Sequence, residues 1–175
     1  MSNIIVKIED YQKEKFSKRN SLLSKKILED TKDKTEFILF SINENNFALE
    51  SKYLIEVITE FYLYEYEFLP NFLKGIINIR GKVIFVNDLS YLIFEDKNIQ
   101  KGEIIRIKYK NIDTGFFINN INKIEYISEN NFSLISKNNN KYKFTKKSIL
   151  INNKLFFLLD LDSLFLDEKL VINDK

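Results

Sequence analysis

An internal duplication constrains the fold of this 175-residue chain more than any other feature of its sequence. The segment from Lys82 to Ile93 aligns without a gap with the segment from Lys154 to Phe165, 72 residues later. Lys, Phe, Asp and two Leu coincide, and most other pairs stay apolar. In both copies an apolar strand ends at Asp and leads into a short segment that contains Leu. The pattern predicts one small β unit used twice.

Two strand–turn–strand patterns repeat at a similar spacing. The first runs from Phe37 to Leu49 through an Asn-rich turn, and the second runs from Ile104 to Ile118. Asn tolerates the left-handed backbone conformation, so these turns do not need Gly. Together with the duplication, the patterns predict an all-β chain of two similar barrels of about 65 residues each, with short helical segments.

Asp88 and Asp160 occupy the same position in the two copies. Each follows an apolar strand and precedes a segment with helical spacing. A carboxylate at such a junction can accept the free backbone N–H groups of the next turn. We therefore expect both residues to be structural turn or cap residues.

The N-terminal 35 residues differ from the rest of the chain in charge. They carry nine Lys or Arg against six Asp or Glu, whereas residues 36 to 175 carry eighteen against nineteen. Helical spacing around Leu23, Ile27 and Leu28 predicts a partly ordered leader, or an N-terminal helix that docks onto the barrels or a partner. The near-neutral body is a poor polyanion binder.

The sequence lacks the reactive groups of several enzyme classes. It has no His and no Cys, which excludes Ser-His-Asp and Cys-His catalysis and thiolate or His metal sites. Gly75 to Gly81-Lys82 resembles a phosphate loop, but the spacing is one residue too long and Val83 follows the Lys. We expect no enzyme activity, no cofactor and no metal. The lack of a signal peptide and of any long apolar run predicts the cytoplasm.

A longer motif resembles the signature of the CheW family of chemotaxis coupling proteins, in which a Pro precedes a Lys-Gly-Val-x-Asn-Leu-Arg-Gly run that ends in Val-Asp-Leu. The matching residues, in order, are Pro70, Lys74, Gly75, Asn78, Arg80, Gly81, Asp88 and Leu89. The resemblance covers about residues 36 to 166. It implies two interlocked SH3-like five-stranded barrels, split near residues 95–103, with a C-terminal tail from 167 to 175.

The resemblance also implies a function and its partners. It implies a non-enzymatic adaptor that couples methyl-accepting chemoreceptors to the regulatory domain of the histidine kinase CheA. The receptor's cytoplasmic helical hairpin is expected in the groove between the barrels, and other CheW-like domains are expected partners in rings. Localisation would be cytoplasmic, at membrane-bound receptor arrays reached through the partners, without membrane insertion and without nucleic acid.

The same resemblance assigns expected roles to individual residues. Arg80 is the first choice for receptor contact because its guanidinium can bind carboxylates and carbonyls on a helix. The expected receptor-binding set is Arg80, Leu54, Glu56, Asn78 and Gly81. Within that set, Leu54 could equally be a core residue, and Asn78 and Gly81 are expected to shape the turn more than to touch a partner. The expected kinase-binding strand is Val83, Ile84, Phe85 and Val86, of which alternate residues must face inward. Gly75 is expected at a close backbone approach.

A second functional class stays open from the sequence alone. A small β-barrel that binds nucleic acid could use basic residues interleaved with aromatic ones, which suits stacking on single strands. The candidate patch is Lys141, Tyr142, Lys143, Phe144, Lys146 and Lys147. The same alternation also describes a strand with a solvated Lys face.

Overall fold

The computed structural model describes residues 33–96, 99–136 and 142–167. The chain divides after Thr35, and the elements below belong to the unit Glu36–Lys175, apart from the first residue of the first strand. The helix predicted around Leu23 to Leu28 and nearly all of the predicted C-terminal tail lie outside the described residues.

The described residues form mostly β structure. The strands are β1 (Thr35–Ile42), β2 (Asn45–Glu50), β3 (Leu54–Ile58), β4 (Leu73–Ile79), β5 (Lys82–Asp88), β6 (Glu103–Tyr109), β7 (Ile112–Ile118), β8 (Asn120–Ile127), β9 (Ser133–Leu134), β10 (Thr145–Ile151) and β11 (Lys154–Leu159). Two short α-helices, α1 (Leu89–Phe94) and α2 (Leu161–Phe165), and two single 3₁₀ turns, Ser51–Tyr53 and Glu129–Asn131, complete the set. The predicted all-β class is confirmed.

The strands build two sheets with matching orders. One sheet runs β8-β1-β2-β11-β10-β9 and the other runs β3-β6-β7-β5-β4. The duplication matches each strand of the first repeat with one strand of the second: β1 with β6, β2 with β7, β3 with β8, β4 with β10 and β5 with β11. The five shared positions then follow the same order in both sheets, with β9 as the extra strand. The internal duplication is therefore a property of the topology as well as of the sequence.

Each repeat gives its hairpin to the sheet of the other repeat. The β1–β2 hairpin joins β11 through a parallel pairing in which Phe47 lies opposite Phe157. The β6–β7 hairpin joins β5 through the equivalent parallel pairing, with Phe116 opposite Asn87. Each sheet therefore takes strands from both sides of residues 95–103, and a cut at that point would divide both sheets.

Alternating burial explains why the hairpin strands are apolar on both faces. In β1, Ile38 and Phe40 enter a large core cluster, while Phe37 and Leu39 enter a second, smaller one. In β2, the ring of Phe47 lies within about 6 Å of four other aromatic rings, those of Phe40, Phe94, Tyr142 and Phe157. A strand that is buried on both faces shows an almost continuous apolar run, as Phe37 to Phe40 does.

Candidate partner-docking surface

A tight turn between β4 and β5 presents Arg80 to solvent. Arg80 and Gly81 are its two central residues, and both have left-handed backbone angles, with φ of 50° and 83°. Asn78 Oδ1 accepts a hydrogen bond from the Gly81 N–H at 2.9 Å. Gly81 tolerates this conformation, but Arg80 adopts it at a steric cost. The structure thus holds an exposed guanidinium on a strained, well-defined hairpin turn.

The equivalent turn of the other repeat shows what the backbone alone prefers. Asn152 and Asn153 join β10 to β11 there, with φ of 48° and 62°. Asn is much better suited than Arg to the left-handed region. The turn geometry therefore gives no reason for an Arg at position 80.

Strand β5 divides the predicted kinase-binding residues into two groups. Val83 and Phe85 are 52% and 55% exposed, whereas Ile84 and Val86 are 1% and 0% exposed. Ile84 and Val86 belong to the large core cluster, so their side chains cannot be part of an exposed docking face. The outward-facing members of the expected kinase-binding strand are therefore Val83 and Phe85, because successive side chains point to opposite faces.

Phe85, one of the outward residues of β5, lines an apolar groove. Val83 lies directly opposite Asn78 on β4, which brings one expected kinase contact beside one expected receptor contact. Phe85 lines a groove of about 230 Å³ together with Ile112, Phe72 and Phe165. The groove is also lined by Asn87 and Thr114, and Asn87 Nδ2 donates to Thr114 Oγ1 at 2.8 Å. An exposed apolar groove with a satisfied polar lining is suited to a protein partner.

Leu54 and Glu56 lie on β3, at the opposite edge of the same sheet from β4. Leu54 packs against the large core cluster, which supports a structural role for its side chain. Glu56 accepts a hydrogen bond from Arg106 Nη1 at 2.6 Å. Both residues are half-buried.

A ladder of charges crosses the sheet from Glu56 to the Arg80 turn. Arg106 on β6 binds both Glu56 and Asp113, and Asp113 on β7 also accepts a hydrogen bond from Lys82, the residue after Gly81. The four charged residues of this ladder therefore connect the two groups of expected receptor contacts through strands β3, β6, β7 and β5.

The ladder fixes the protonation of its central pair. Hydrogen bonds from Arg106 and Lys82 outweigh partial burial and hold the pKa of Asp113 well below its usual range. The hydrogen bond to Asp113 is also the largest effect that raises the pKa of Arg106. Both groups stay charged throughout the physiological range, so the ladder is a fixed electrostatic feature.

The two duplicated Asp residues occupy equivalent helix starts. Asp88 precedes α1 and accepts a hydrogen bond from the Tyr91 N–H at 3.1 Å, and Asp160 precedes α2 and accepts one from the Ser163 N–H at 3.3 Å. Burial raises the pKa of Asp160, but hydrogen bonds from Lys146 and Ser163 outweigh it and lower the pKa overall. These are N-cap contacts.

Gly75 lies where β4 is approached by a neighbouring backbone. A Cβ at this position would sit 2.5 Å from the carbonyl oxygen of Tyr64. Tyr64 forms an isolated antiparallel bridge with Ile76, with backbone N···O distances of 2.9 and 3.0 Å. Only Gly leaves room for this pairing.

The basic and aromatic patch of the nucleic-acid alternative is not a stacking surface in the described part of the chain. Tyr142 is 4% exposed, and its hydroxyl donates to Asn45 Oδ1 at 2.5 Å. Phe144 packs against the core, and Lys143 and Lys146 bind Glu95 and Asp160. Lys141 lies outside the described residues. The buried ring of Tyr142 is closed to base stacking, and the ring of Phe144 is partly covered by the core.

Sequence reasoning missed Arg106, Asp113 and Ile112 as parts of this surface. A charged residue inside each of the apolar strands β6 and β7 was the available signal, because such residues need a partner when they are half-buried. Asp113 lies within the same hairpin as Arg106, whereas Glu56 comes from a strand far away in the chain, and no local pattern indicates that second partner. The described residues also contain no group of three or more His, Cys, Asp or Glu that could hold a metal ion. Within that same part, no helix has the length and apolar character needed to cross a membrane.

Comparisons with known proteins indicate the family of this chain. The model of the CheW-like domain family matches residues 36–169. The chemotaxis protein CheW of Thermotoga maritima is 25% identical over 142 residues, which cover 79% of this chain and 93% of that protein. The crystal structure of the scaffolding protein TtCheW from Thermoanaerobacter tengcongensis superposes with a TM-score of 0.66 at 22% identity, covering 78% of this chain and 95% of that one. This chain belongs to the CheW-like domain family.

Proposed function

We propose that this protein is a non-enzymatic scaffold of a chemotaxis pathway, which couples chemoreceptors to the regulatory domain of the histidine kinase CheA. The observation that carries the proposal is the match of the CheW-like family model to residues 36–169, nearly the whole described part of the chain. Such a scaffold does no chemistry. It would hold receptor and kinase in one geometry, so that a receptor change shifts the kinase between its active and inactive populations.

The Arg80 turn supports the receptor half of the proposal. An exposed guanidinium offers up to five N–H donors in a rigid plane, which suits carboxylates and backbone carbonyls of a helical hairpin. The turn is held by the Asn78–Gly81 hydrogen bond and lies beside the charge ladder that ends at Lys82. In this proposal Asn78 and Gly81 shape the turn, and Glu56 contributes through its bond to Arg106.

The outward face of β5 supports the kinase half. Val83 and Phe85 are exposed apolar side chains of β5, and Phe85 lines the groove together with Ile112. Burial of such a patch against a partner is favourable, at about 25 cal/mol per Å² of apolar surface. Ile84 and Val86 contribute by anchoring the strand to the core.

Association with receptor arrays and a cytoplasmic location belong to the same proposal. Array formation would require a second docking face for another CheW-like domain, and the duplicated sheet offers one of related shape. Leu150 and Leu155 lie directly opposite each other there, at positions equivalent to Asn78 and Val83, and both are exposed. Repeated pairing of related faces can close into rings.

Binding measurements with two partner fragments test the proposal. Isothermal titration would use a receptor cytoplasmic fragment and a CheA regulatory domain from a candidate cognate system, against wild type, Arg80→Glu and Phe85→Ser. Asn152→Glu provides a matched control, because it places the same charge on the equivalent turn of the other repeat.

We expect Arg80→Glu to lose receptor binding and keep kinase binding, and Phe85→Ser to show the reverse. The asparagine-turn control should bind both partners like wild type. If wild type binds neither fragment across several cognate pairs, the coupling function is wrong, although the fold and the family stand. If Asn152→Glu and Arg80→Glu weaken receptor binding equally, the assignment of the contact to the Arg80 turn fails.

A further inference from the structure

The loop between β3 and β4 displays aromatic side chains that the core does not use. Tyr62, Tyr64, Tyr66 and Phe68 alternate along it and are all exposed, and Phe68 is 98% exposed. Isolated exposed aromatics are common, but four along one short segment form an apolar patch. We call residues 60–68 the aromatic-acidic loop.

The charge of this loop is of one sign. Residues 59–73 contain Glu60, Glu65 and Glu67 and no Lys or Arg, and all three Glu side chains are exposed. The corresponding stretch of the other repeat, residues 128–144, carries three Lys against one Glu. Negative charge at this place is therefore a feature of the first repeat alone, and the duplication does not require it.

The loop is held in place at its middle, and its last residue has a strained backbone. The backbone of Tyr64 pairs with Ile76 on the edge strand β4, and the ring of Tyr62 lies 4.6 Å from that of Tyr64 in an edge-to-face contact. Phe68 has a φ of 73°, in the left-handed region that a bulky residue rarely adopts. Strained backbone of this kind clusters at ligand-binding sites and switch regions.

We propose that the aromatic-acidic loop binds a Lys- or Arg-rich segment of a partner protein. Carboxylates alternate with ring faces along the loop, so an extended basic segment could place its cations against both. Cation–π contacts and charge-assisted hydrogen bonds are the interactions that this combination offers. The loop would repel polyanions such as nucleic acid and anionic lipid.

This surface is separate in sequence from the expected receptor and kinase contacts. It would add a third partner to the scaffold, and it does not depend on the proposed coupling function. If the protein binds neither receptor nor kinase, the loop can still bind a basic segment. If the loop binds no basic segment, receptor and kinase binding are unaffected.

Fluorescence anisotropy of the full chain with labelled peptides tests the proposal. The probe is an alternating Arg-Gly peptide, compared with Ser-Gly and Glu-Gly peptides of the same length. The variants are Tyr62→Ser/Phe68→Ser and Glu65→Gln/Glu67→Gln, all at exposed positions that the fold does not need. Leu134→Ser and Glu44→Gln are the matched controls, because both residues are exposed on other parts of the chain.

We expect wild type to bind only the Arg-Gly peptide, with an affinity that falls as salt rises. Each double variant should weaken that binding by about three- to tenfold, and the controls should leave it unchanged. No binding by wild type, equal binding of the Ser-Gly peptide, or double variants that bind like wild type would each overturn the proposal. A dimer of the wild type in size-exclusion chromatography would also overturn the proposal if Tyr62→Ser/Phe68→Ser abolished it. The loop would then bind a second copy of the chain.

Discussion

The guanidinium of Arg106 donates two parallel hydrogen bonds to the carboxylate of Asp113, from Nε to Oδ1 and from Nη2 to Oδ2, both at 2.9 Å. The third nitrogen, Nη1, reaches Glu56 on the other side. Arg106 and Asp113 are only 11% and 18% exposed in their side chains. A bidentate pair with so little exposure is among the stronger ionic contacts in proteins. It joins β6 to β7 inside the hairpin that one repeat gives to the other.

Asp113→Asn should destabilise the protein. The change removes the charge that Arg106 and Lys82 both contact, and hydrogen bonds to charged groups contribute about 1.5–3 kcal/mol each. We expect a loss of about 2–3 kcal/mol in the free energy of unfolding, measured by urea denaturation. Lys82→Gln is the control, because Lys82 is 58% exposed and should cost less than about 1 kcal/mol. Equal losses of unfolding free energy for the two variants would contradict the larger contribution expected from the Arg106–Asp113 pair.

Low pH should remove the stabilisation that the Asp113 carboxylate contributes. The pKa of Asp113 is lowered in the folded state, so its stabilisation is complete above the unfolded pKa of about 4. It is lost progressively as pH falls from there through the folded value. The difference in unfolding free energy between wild type and Asp113→Asn should therefore be largest near neutral pH and shrink towards pH 2. Other carboxylates with lowered pKa values, such as Asp160, affect both proteins alike. A difference that stays constant with pH would refute the assignment.

Arg80→Asn should raise stability while it weakens receptor binding. Asn relieves the left-handed conformation of position 80, and we expect a gain of about 0.5–1 kcal/mol. The reverse change, Asn152→Arg, places an Arg in the equivalent turn and should cost a similar amount. Thermal unfolding measures both. A destabilised Arg80→Asn would mean that Arg80 makes structural contacts that outweigh its backbone strain.

Gly75→Ala should disturb the junction between β4 and the aromatic-acidic loop. The added Cβ meets the Tyr64 carbonyl oxygen, a backbone atom that cannot rotate away. We expect a cost of about 1–3 kcal/mol and faster hydrogen exchange of the Ile76 amide, which donates to that oxygen. Gly81→Ala is the comparison, because open space surrounds Gly81 and only its φ of 83° resists a side chain. Unchanged exchange at Ile76 in Gly75→Ala would show that the loop adapts freely.

Removal of the two N-caps should lower the free energy of unfolding by different amounts. Asp88→Ala and Asp160→Ala each lose a cap worth about 1–2 kcal/mol. Asp88 should cost more, because it is fully buried and its Oδ2 lies 3.9 Å from Lys74 Nζ, which would lose a nearby charge. Calorimetric unfolding of both variants, with Ser163→Ala as a mild control at α2, measures the order. A larger loss for Asp160→Ala would contradict it.

Local sequence patterns predicted a large part of this structure. The repeated strand, Asp and Leu segments predicted the duplication, and the apolar alternation predicted the strands. The position of Asp88 and Asp160 after strands predicted caps, because capping depends on neighbours three residues away. The Asn-rich turn at Asn43 also matches a hairpin with a left-handed residue. Each of these features depends on short-range geometry.

The functional surface was predictable only in part. The family resemblance singled out Arg80 and strand β5, but the sequence did not say which β5 residues face outward. The run from Val83 to Val86 is entirely apolar, so only packing could separate Val83 and Phe85 from Ile84 and Val86. The aromatic-acidic loop had no repeat or motif to mark it, and its exposure became visible only in three dimensions.

By itself the sequence determined the β class, the duplication, the turns and the caps, since these arise from interactions between near neighbours. Only the tertiary structure decided that each repeat completes the other, because the parallel pairs β2–β11 and β5–β7 join strands far apart in the chain. The Arg106 contact to Glu56 likewise depends on strand order, because it joins β6 to β3. Burial of the shared core selects which distant strands pair, and no local sequence pattern encodes the identity of the partner strand.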